Sequence, residues 1–136
     1  MKASVIRIAH FNAAHRLYRA EWSDAQNREI FGLCSNPNFH GHNYKLEVKV
    51  TGQIDPETGF VLDLKTLKEI IDDEVMEPFD HRNLNRDTEE FKTLNPTAEN
   101  IAAVIWQKMR RRLDPRFDLK IRLHETERNV VEFDGI

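Results

Sequence analysis

His40 and His42 are two residues apart, and Cys34, the only cysteine, precedes them by six and eight positions. Side chains at i and i+2 of a strand project to one side, so both imidazoles can reach a single point. His15 lies just past the end of a first predicted strand. If the two strands pair antiparallel, residue 15 comes near residue 42, and three imidazoles converge from two strand ends. Three histidines with an open fourth position are the donor set of a catalytic zinc site. Cys34 admits two readings. It can complete a closed structural site as the fourth ligand, or it can stand apart as a base or nucleophile, its thiolate favoured by the positive charge of a zinc ion and histidines. Spacing leaves both open, although a domain with ample core and two helices does not need a metal to fold.

Two further groups carry chemistry. Asp80 and His81, inside FDHRNLN, are adjacent on an irregular stretch. A carboxylate can orient an imidazole and stabilise its charge, and the imidazole can then move protons near neutral pH. The same pair also suits an ordinary turn. Glu125, next to His124 on a predicted strand, can accept two hydrogen bonds from the amidine-like edge of a heterocycle, or simply be solvated. His10, on the first strand, reads as structural.

The elements that must hold these residues follow from periodicity. ASVIRIAHFN, 3–12, is rich in β-branched and aromatic residues and predicts a strand. Residues 13–41 show no period and predict a long loop, which in a small domain is usually functional. HNYKLEVKVT, 42–51, alternates, with Tyr44, Leu46, Val48 and Val50 on one face and polar residues on the other. Asp63 can cap a helix over 64–76, where Leu64, Leu67, Ile70, Ile71 and Val75 recur at helical spacing. Residues 77–96 are irregular. A second helix spans about 98–113, with Arg110, Arg111 and Arg112 in its last turn, where cations suit the helix dipole. Strands at 119–126 and 129–133 form a hairpin. The order β-β-α-α-β-β predicts an α+β fold, a four-stranded antiparallel sheet with both helices on one face. Its other face and edges stay open, which predicts an oligomer.

Length and composition bound the rest. The chain has 136 residues, 40% hydrophobic and 32% charged, with net charge −3. That is one domain, 1–136, with no expectation of a nucleic-acid partner. One cysteine excludes an internal disulfide framework. No apolar run approaches the roughly 20 residues that span a bilayer, and the N-terminus reads as a strand and not as a signal peptide. The expectation is a cytoplasmic protein.

These pieces together resemble the 6-pyruvoyltetrahydropterin synthase family, which also includes the bacterial 6-carboxytetrahydropterin synthases. The resemblance runs through FNAAHRL (11–17), FGLCSNPNFHGHNYKLEV (31–48), TGFVLDLKTLK (58–68), FDHRNLN (79–85), NPTAENIA (95–102) and HETERNVV (124–131). It implies the tunnelling fold (T-fold), with subunits joining sheets into a barrel as a trimer, two trimers stacked as a homohexamer, and active sites between subunits. It implies Zn2+ on His15, His40 and His42, catalytic Cys34, and a proton relay of Asp80 and His81. Glu125 would anchor the pterin, with Thr97 and Glu99 lining its pocket.

The implied reaction is loss of triphosphate from 7,8-dihydroneopterin triphosphate to give 6-pyruvoyltetrahydropterin, on the route to tetrahydrobiopterin, with no external redox cofactor. The sister branch releases acetaldehyde and gives 6-carboxytetrahydropterin, the precursor of queuosine and other deazapurines. Five residues, Ser35 to Phe39, separate Cys34 from His40. That wide gap resembles the pyruvoyl branch. Phe39 stands where the animal enzymes of the family have glycine, so the floor of this loop is expected to differ. The rival from another class is a non-catalytic binding module stabilised by zinc.

Overall fold

The computed structural model describes residues 1–135. Its sheet is built on one long hairpin-like pair. β1 (Lys2–His15) runs antiparallel to β2 (His40–Gln53) along its whole length, from Lys2 opposite Gln53 to His15 opposite His40. β4 (Asp118–His124) pairs antiparallel with β2, and β5 (Val130–Phe133) with β4. The alternation along β2 buries Tyr44, Leu46, Val48 and Val50 completely. Leu119, Ile121 and Leu123 of β4 continue that apolar face.

Two helices cover it. α2 (Leu64–Ile71) starts at Asp63, whose side chain accepts a hydrogen bond from the Lys65 amide at 2.9 Å. That is the expected N-cap. Leu67, Ile70 and Ile71 point inward. The helix continues through a π-helical turn (Asp72–Met76) into a short α3 (Glu77–Phe79), beyond the end that periodicity gave. A π turn shifts the faces of a helix; here it precedes Phe79, which is fully buried, and Asp80. α5 (Ala98–Arg112) is capped by Thr97, with Arg110, Arg111 and Arg112 in its last turn, and buries Ile101, Ala102, Val104, Ile105 and Met109. The α+β class and the layer of helices on one face stand.

Three expectations need correction. The sheet has five strands and is not wholly antiparallel: β3 (Arg82–Asn83) pairs parallel to Ala13 and Ala14 of β1, giving the order β3-β1-β2-β4-β5. A two-residue strand has no period to detect. The predicted loop 13–41 contains the end of β1, the helix α1 (Asp24–Phe31) and a 3-10 turn (Gly32–Ser35). α1 buries only Asn27, so it shows no apolar stripe. It is held by polar bonds: Ser23 caps it, and the Asn27 side chain bonds the backbone N and O of Arg19 at 2.8 and 2.9 Å. Residues 77–96 likewise hold α3, β3, α4 (Leu84–Asp87) and a second 3-10 turn (Glu90–Lys92).

The sheet does not close on itself: β3 and β5 are its edges. Ile6 and Ile8 of β1 lie about half exposed, at 50% and 46%. No helix among the described residues is long and apolar enough to cross a membrane.

Leu67 joins helix to sheet at zero exposure. Leu67→Ala should cost about 3 kcal/mol of folding free energy through lost burial and a residual cavity. Urea unfolding reads this as a lower midpoint with an unchanged slope.

Candidate metal centre and active site

Strand register builds the centre. His15 sits opposite His40, and Ala13 opposite His42, one pair away from the expected partner of residue 15. The parity is unaffected, so all three imidazoles lie on the helix-covered face. Their ring centres are 4.6 Å (His15–His40), 5.1 Å (His15–His42) and 5.0 Å (His40–His42) apart. One ligand atom from each lies within 4.8 Å of the other two, so the group can hold a metal ion.

The polar accounting points the same way. Buried polar atoms normally find partners. Here His15 Nε2, both ring nitrogens of His40, and His42 Nε2 are buried without one among the described residues. His15 Nδ1 lies 2.8 Å from the carbonyl oxygen of Pro96. A carbonyl only accepts, so Nδ1 carries the proton and Nε2 keeps its lone pair for a metal. Tyr44 Oη stands 3.4 Å from the same Nδ1, and the buried Tyr44 ring packs beneath His42. Neither Pro96 nor Tyr44 emerged from the sequence as part of the site. The proline's role is carried by its backbone oxygen, which no residue type reveals, and Tyr44 reads as ordinary core from alternation.

Burial drives the His15 pKa down to about 4; the Pro96 carbonyl opposes this, and His40 and His42 reinforce it. His40 is also lowered, by burial and by His42, with Glu125 opposing.

Cys34 sits in the 3-10 turn, partly buried, and is not part of the histidine cluster. Its backbone carbonyl accepts from the Leu17 amide at 2.9 Å, which ties the turn to the end of β1. Burial, and then the Glu125 charge, push the thiol pKa up. The low pKa of His15 means that this histidine brings no positive charge to the thiol at neutral pH. Glu125 follows the last residue of β4, and its amide donates to the Asn129 carbonyl at 3.0 Å. Its charge acts on Cys34, His40 and Tyr44, so the carboxylate stands in the neighbourhood of these three groups.

Asp80 and His81 stand beyond the outer side of β1. Asp80 Oδ2 lies 3.0 Å from His81 Nδ1, and Asp80 Oδ1 accepts from the Asn12 amide at 2.9 Å. The His81 amide donates to the Asn12 carbonyl at 2.6 Å. That grip holds His81 at φ 60, a left-handed conformation that histidine tolerates. The Asn12 amide, then the His81 side chain, lower the Asp80 pKa, so Asp80 is ionised. The His81 ring is largely exposed, at 82%. The bonds of the pair thus run to β1 and not to the three histidines. Thr97 is the N-cap of α5, its hydroxyl oxygen accepting from Asn100 N at 3.1 Å, and Glu99 is exposed in the first turn. Thr97 directly follows Pro96, so the cap and the His15 acceptor are neighbours in one turn.

Fold and site define an α+β domain of the T-fold class with a three-histidine centre that can take a metal. The family described as 6-pyruvoyl tetrahydropterin synthase matches residues 4–135, and the chain belongs to that family. Similar proteins include 6-pyruvoyl tetrahydrobiopterin synthases of Poecilia reticulata, 44% identical with 96% of this chain and 89% of the relative covered. The Homo sapiens protein of that name is 42% identical, with 98% and 92% covered. The solved Caenorhabditis elegans 6-pyruvoyl tetrahydropterin synthase superposes with a TM-score of 0.93 at 39% identity, covering 100% of this chain and 97% of that one.

The buried His15 makes stability depend on pH. An unfolded histidine titrates near 6.5, whereas folded His15 takes its proton only near pH 4. The unfolded chain therefore binds more protons in that window, and stability rises with pH across it. Acidifying the metal-free protein from pH 6.5 to 4 should remove about 3 kcal/mol at this residue. Urea titrations across the window check it, and His15→Gln should flatten the dependence.

Proposed function

We propose that this chain is a zinc-dependent lyase that converts 7,8-dihydroneopterin triphosphate to 6-pyruvoyltetrahydropterin with release of triphosphate. The observation that carries the reading is a division of labour between the histidines and the thiol. Three imidazoles, His15 buried and His40 and His42 half-buried, bring unpartnered ring nitrogens together, and a lone thiol stands outside that cluster. A closed structural site would have drawn Cys34 in as a fourth ligand. The animal relatives named 6-pyruvoyl tetrahydrobiopterin synthase match almost the whole chain. A protein named "Putative 6-carboxy-5,6,7,8-tetrahydropterin synthase" from Archaeoglobus fulgidus matches 52% of it.

A bound zinc supplies Lewis acidity toward the hydroxyls of the substrate side chain. The chain's own residues do the rest. His15, held by Pro96, and His40 and His42, held by strand pairing, present neutral donors to it. The Glu125 carboxylate accepts hydrogen bonds from the N–H edge of the pterin and so orients the three-carbon chain toward the histidines. Thr97 and Glu99, at the start of α5, line the same end. Cys34 Sγ takes and returns protons at the side-chain carbons. Asp80 holds His81 Nδ1–H, which leaves Nε2 free to exchange a proton. His81 is solvent-facing at the β1 edge of a sheet whose two edges are both open. Joining these edges between copies, as a trimer or a hexamer of two trimers, encloses the dyad against a neighbouring subunit. A working thiol suits the reducing cytoplasm, where we place the enzyme.

Incubation with 7,8-dihydroneopterin triphosphate and identification of the pterin test the reading. Free triphosphate and the pyruvoyl product are expected. Acetaldehyde with 6-carboxytetrahydropterin would assign the chain to the sister branch instead.

Cys34→Ala should keep its full complement of metal by elemental analysis and lose turnover by at least about a hundredfold. Loss of metal together with unfolding would mean that the thiol is a ligand and that the domain is a zinc-stabilised module.

A further inference from the structure

The loop between Cys34 and His40 is clasped at both ends by arginines. At the thiol end, Arg16 Nε donates to the Ser35 carbonyl at 2.8 Å, and the Arg16 guanidinium carbon lies 3.9 Å from the centre of the Tyr18 ring. At the histidine end, the Arg86 guanidinium carbon lies 4.9 Å from the centre of the Phe39 ring. Phe39 has φ 67. That left-handed conformation is costly for phenylalanine, and the cation over its ring is a compensating contact.

Both arginines are set by the same turn, α4. The Asn85 side chain accepts from the Arg16 amide at 2.8 Å and donates to the Arg16 carbonyl at 2.9 Å. Asn83 accepts from the Arg86 amide at 3.2 Å.

What these guanidiniums lack is an anion. Among the described residues, no carboxylate oxygen lies within 4.0 Å of a nitrogen of Arg16 or Arg86, although Arg19, Arg112, Arg116 and Arg122 all have such partners. The Nη groups of Arg16, and the whole Arg86 guanidinium, donate no hydrogen bond among those residues. In a chain of net charge −3, two unpaired cations flanking the thiol loop make a local positive field. Guanidinium forks match phosphate oxygens two at a time.

We propose that Arg16 and Arg86 form a polyphosphate subsite, holding the phosphate chain of the substrate across the Ser35–Phe39 loop. The inference rests on the lyase reading above. It adds where the leaving group sits: one end of the substrate is fixed by Glu125 and the other by the two arginines, with the reacting carbons over the thiol and histidines. Guanidinium donors placed there also stabilise the charge of the departing phosphate.

The probe is inorganic tripolyphosphate, titrated calorimetrically into the metal-loaded, full-length protein, with neopterin, which carries no phosphate, as the second ligand. Arg86→Ala should weaken tripolyphosphate binding about tenfold, and Arg16→Lys severalfold, with neopterin affinity held to within about twofold. Arg86→Lys, which retains the charge, should recover part of the loss. If Arg86→Ala and Arg16→Lys both leave tripolyphosphate affinity within about twofold of the parent, the arginines only clasp the loop and the subsite is overturned. Equal weakening of both ligands would overturn it as well, because that pattern reports a displaced loop. Arginine-dependent tripolyphosphate binding with no neopterin binding would uphold the subsite while the pterin reading fell.

Discussion

The pairing of β1 with β2 is the constraint on which the rest depends. Fourteen consecutive cross-strand pairs place His15 opposite His40. Because strand side chains alternate, a slip of one residue would send either His15 or the His40–His42 pair to the opposite face. The register is specified twice over. Phe11 and Ala13 precede His15 on the buried face, and Tyr44, Leu46, Val48 and Val50 follow His42 on it. The apolar core therefore aims the histidine cluster: the residues that make the sheet stable also carry the imidazoles to one point.

Burial sets the chemistry of that point. Imidazoles removed from water and set beside one another resist protonation, and both His15 and His40 are shifted downward, first by burial and then by their histidine neighbours. Neutral rings are what a metal requires of histidine ligands. The cost appears in the polar accounting, since four buried ring nitrogens have no partner among the described residues. The same low polarity raises the Cys34 thiol, with Glu125 adding to the effect. Burial thus disfavours charge on His15, His40 and the thiol alike, while the nearby guanidiniums of Arg16 and Arg86 lie on the thiol loop.

The irregular segments follow a second rule: backbone and amide hydrogen bonds place them, not apolar periodicity. Asn27 folds α1 back onto Arg19, Asn85 fastens the end of β1, and Asn12 grips both Asp80 and His81 through its backbone. Positive φ at Phe39 and at His81 marks the two places where the chain turns sharply beside the proposed chemistry. Local strain of this kind persists only where its surroundings over-determine it.

Much of this was legible in the sequence. Alternation in β2 and β4, helical spacing in α2 and α5, and the cap Asp63 are local signals, and the structure bears them out. The HxH spacing put two imidazoles on one face, and the third histidine at the end of β1 was within reach by strand pairing alone. What tertiary structure alone decided involves residues far apart in the chain. The two-residue β3 exists because Arg82 and Asn83 lie against Ala13 and Ala14. The tautomer of His15 is set by the carbonyl of Pro96, 81 positions away. Whether Cys34 joined the histidines was open from spacing, since six residues can bend either way. The Leu17–Cys34 bond and the arginine clasps settle where that loop lies. Periodic burial is written locally because each side chain meets the core by its own position, whereas a backbone acceptor or a non-local contact acquires its meaning only when the chain is folded.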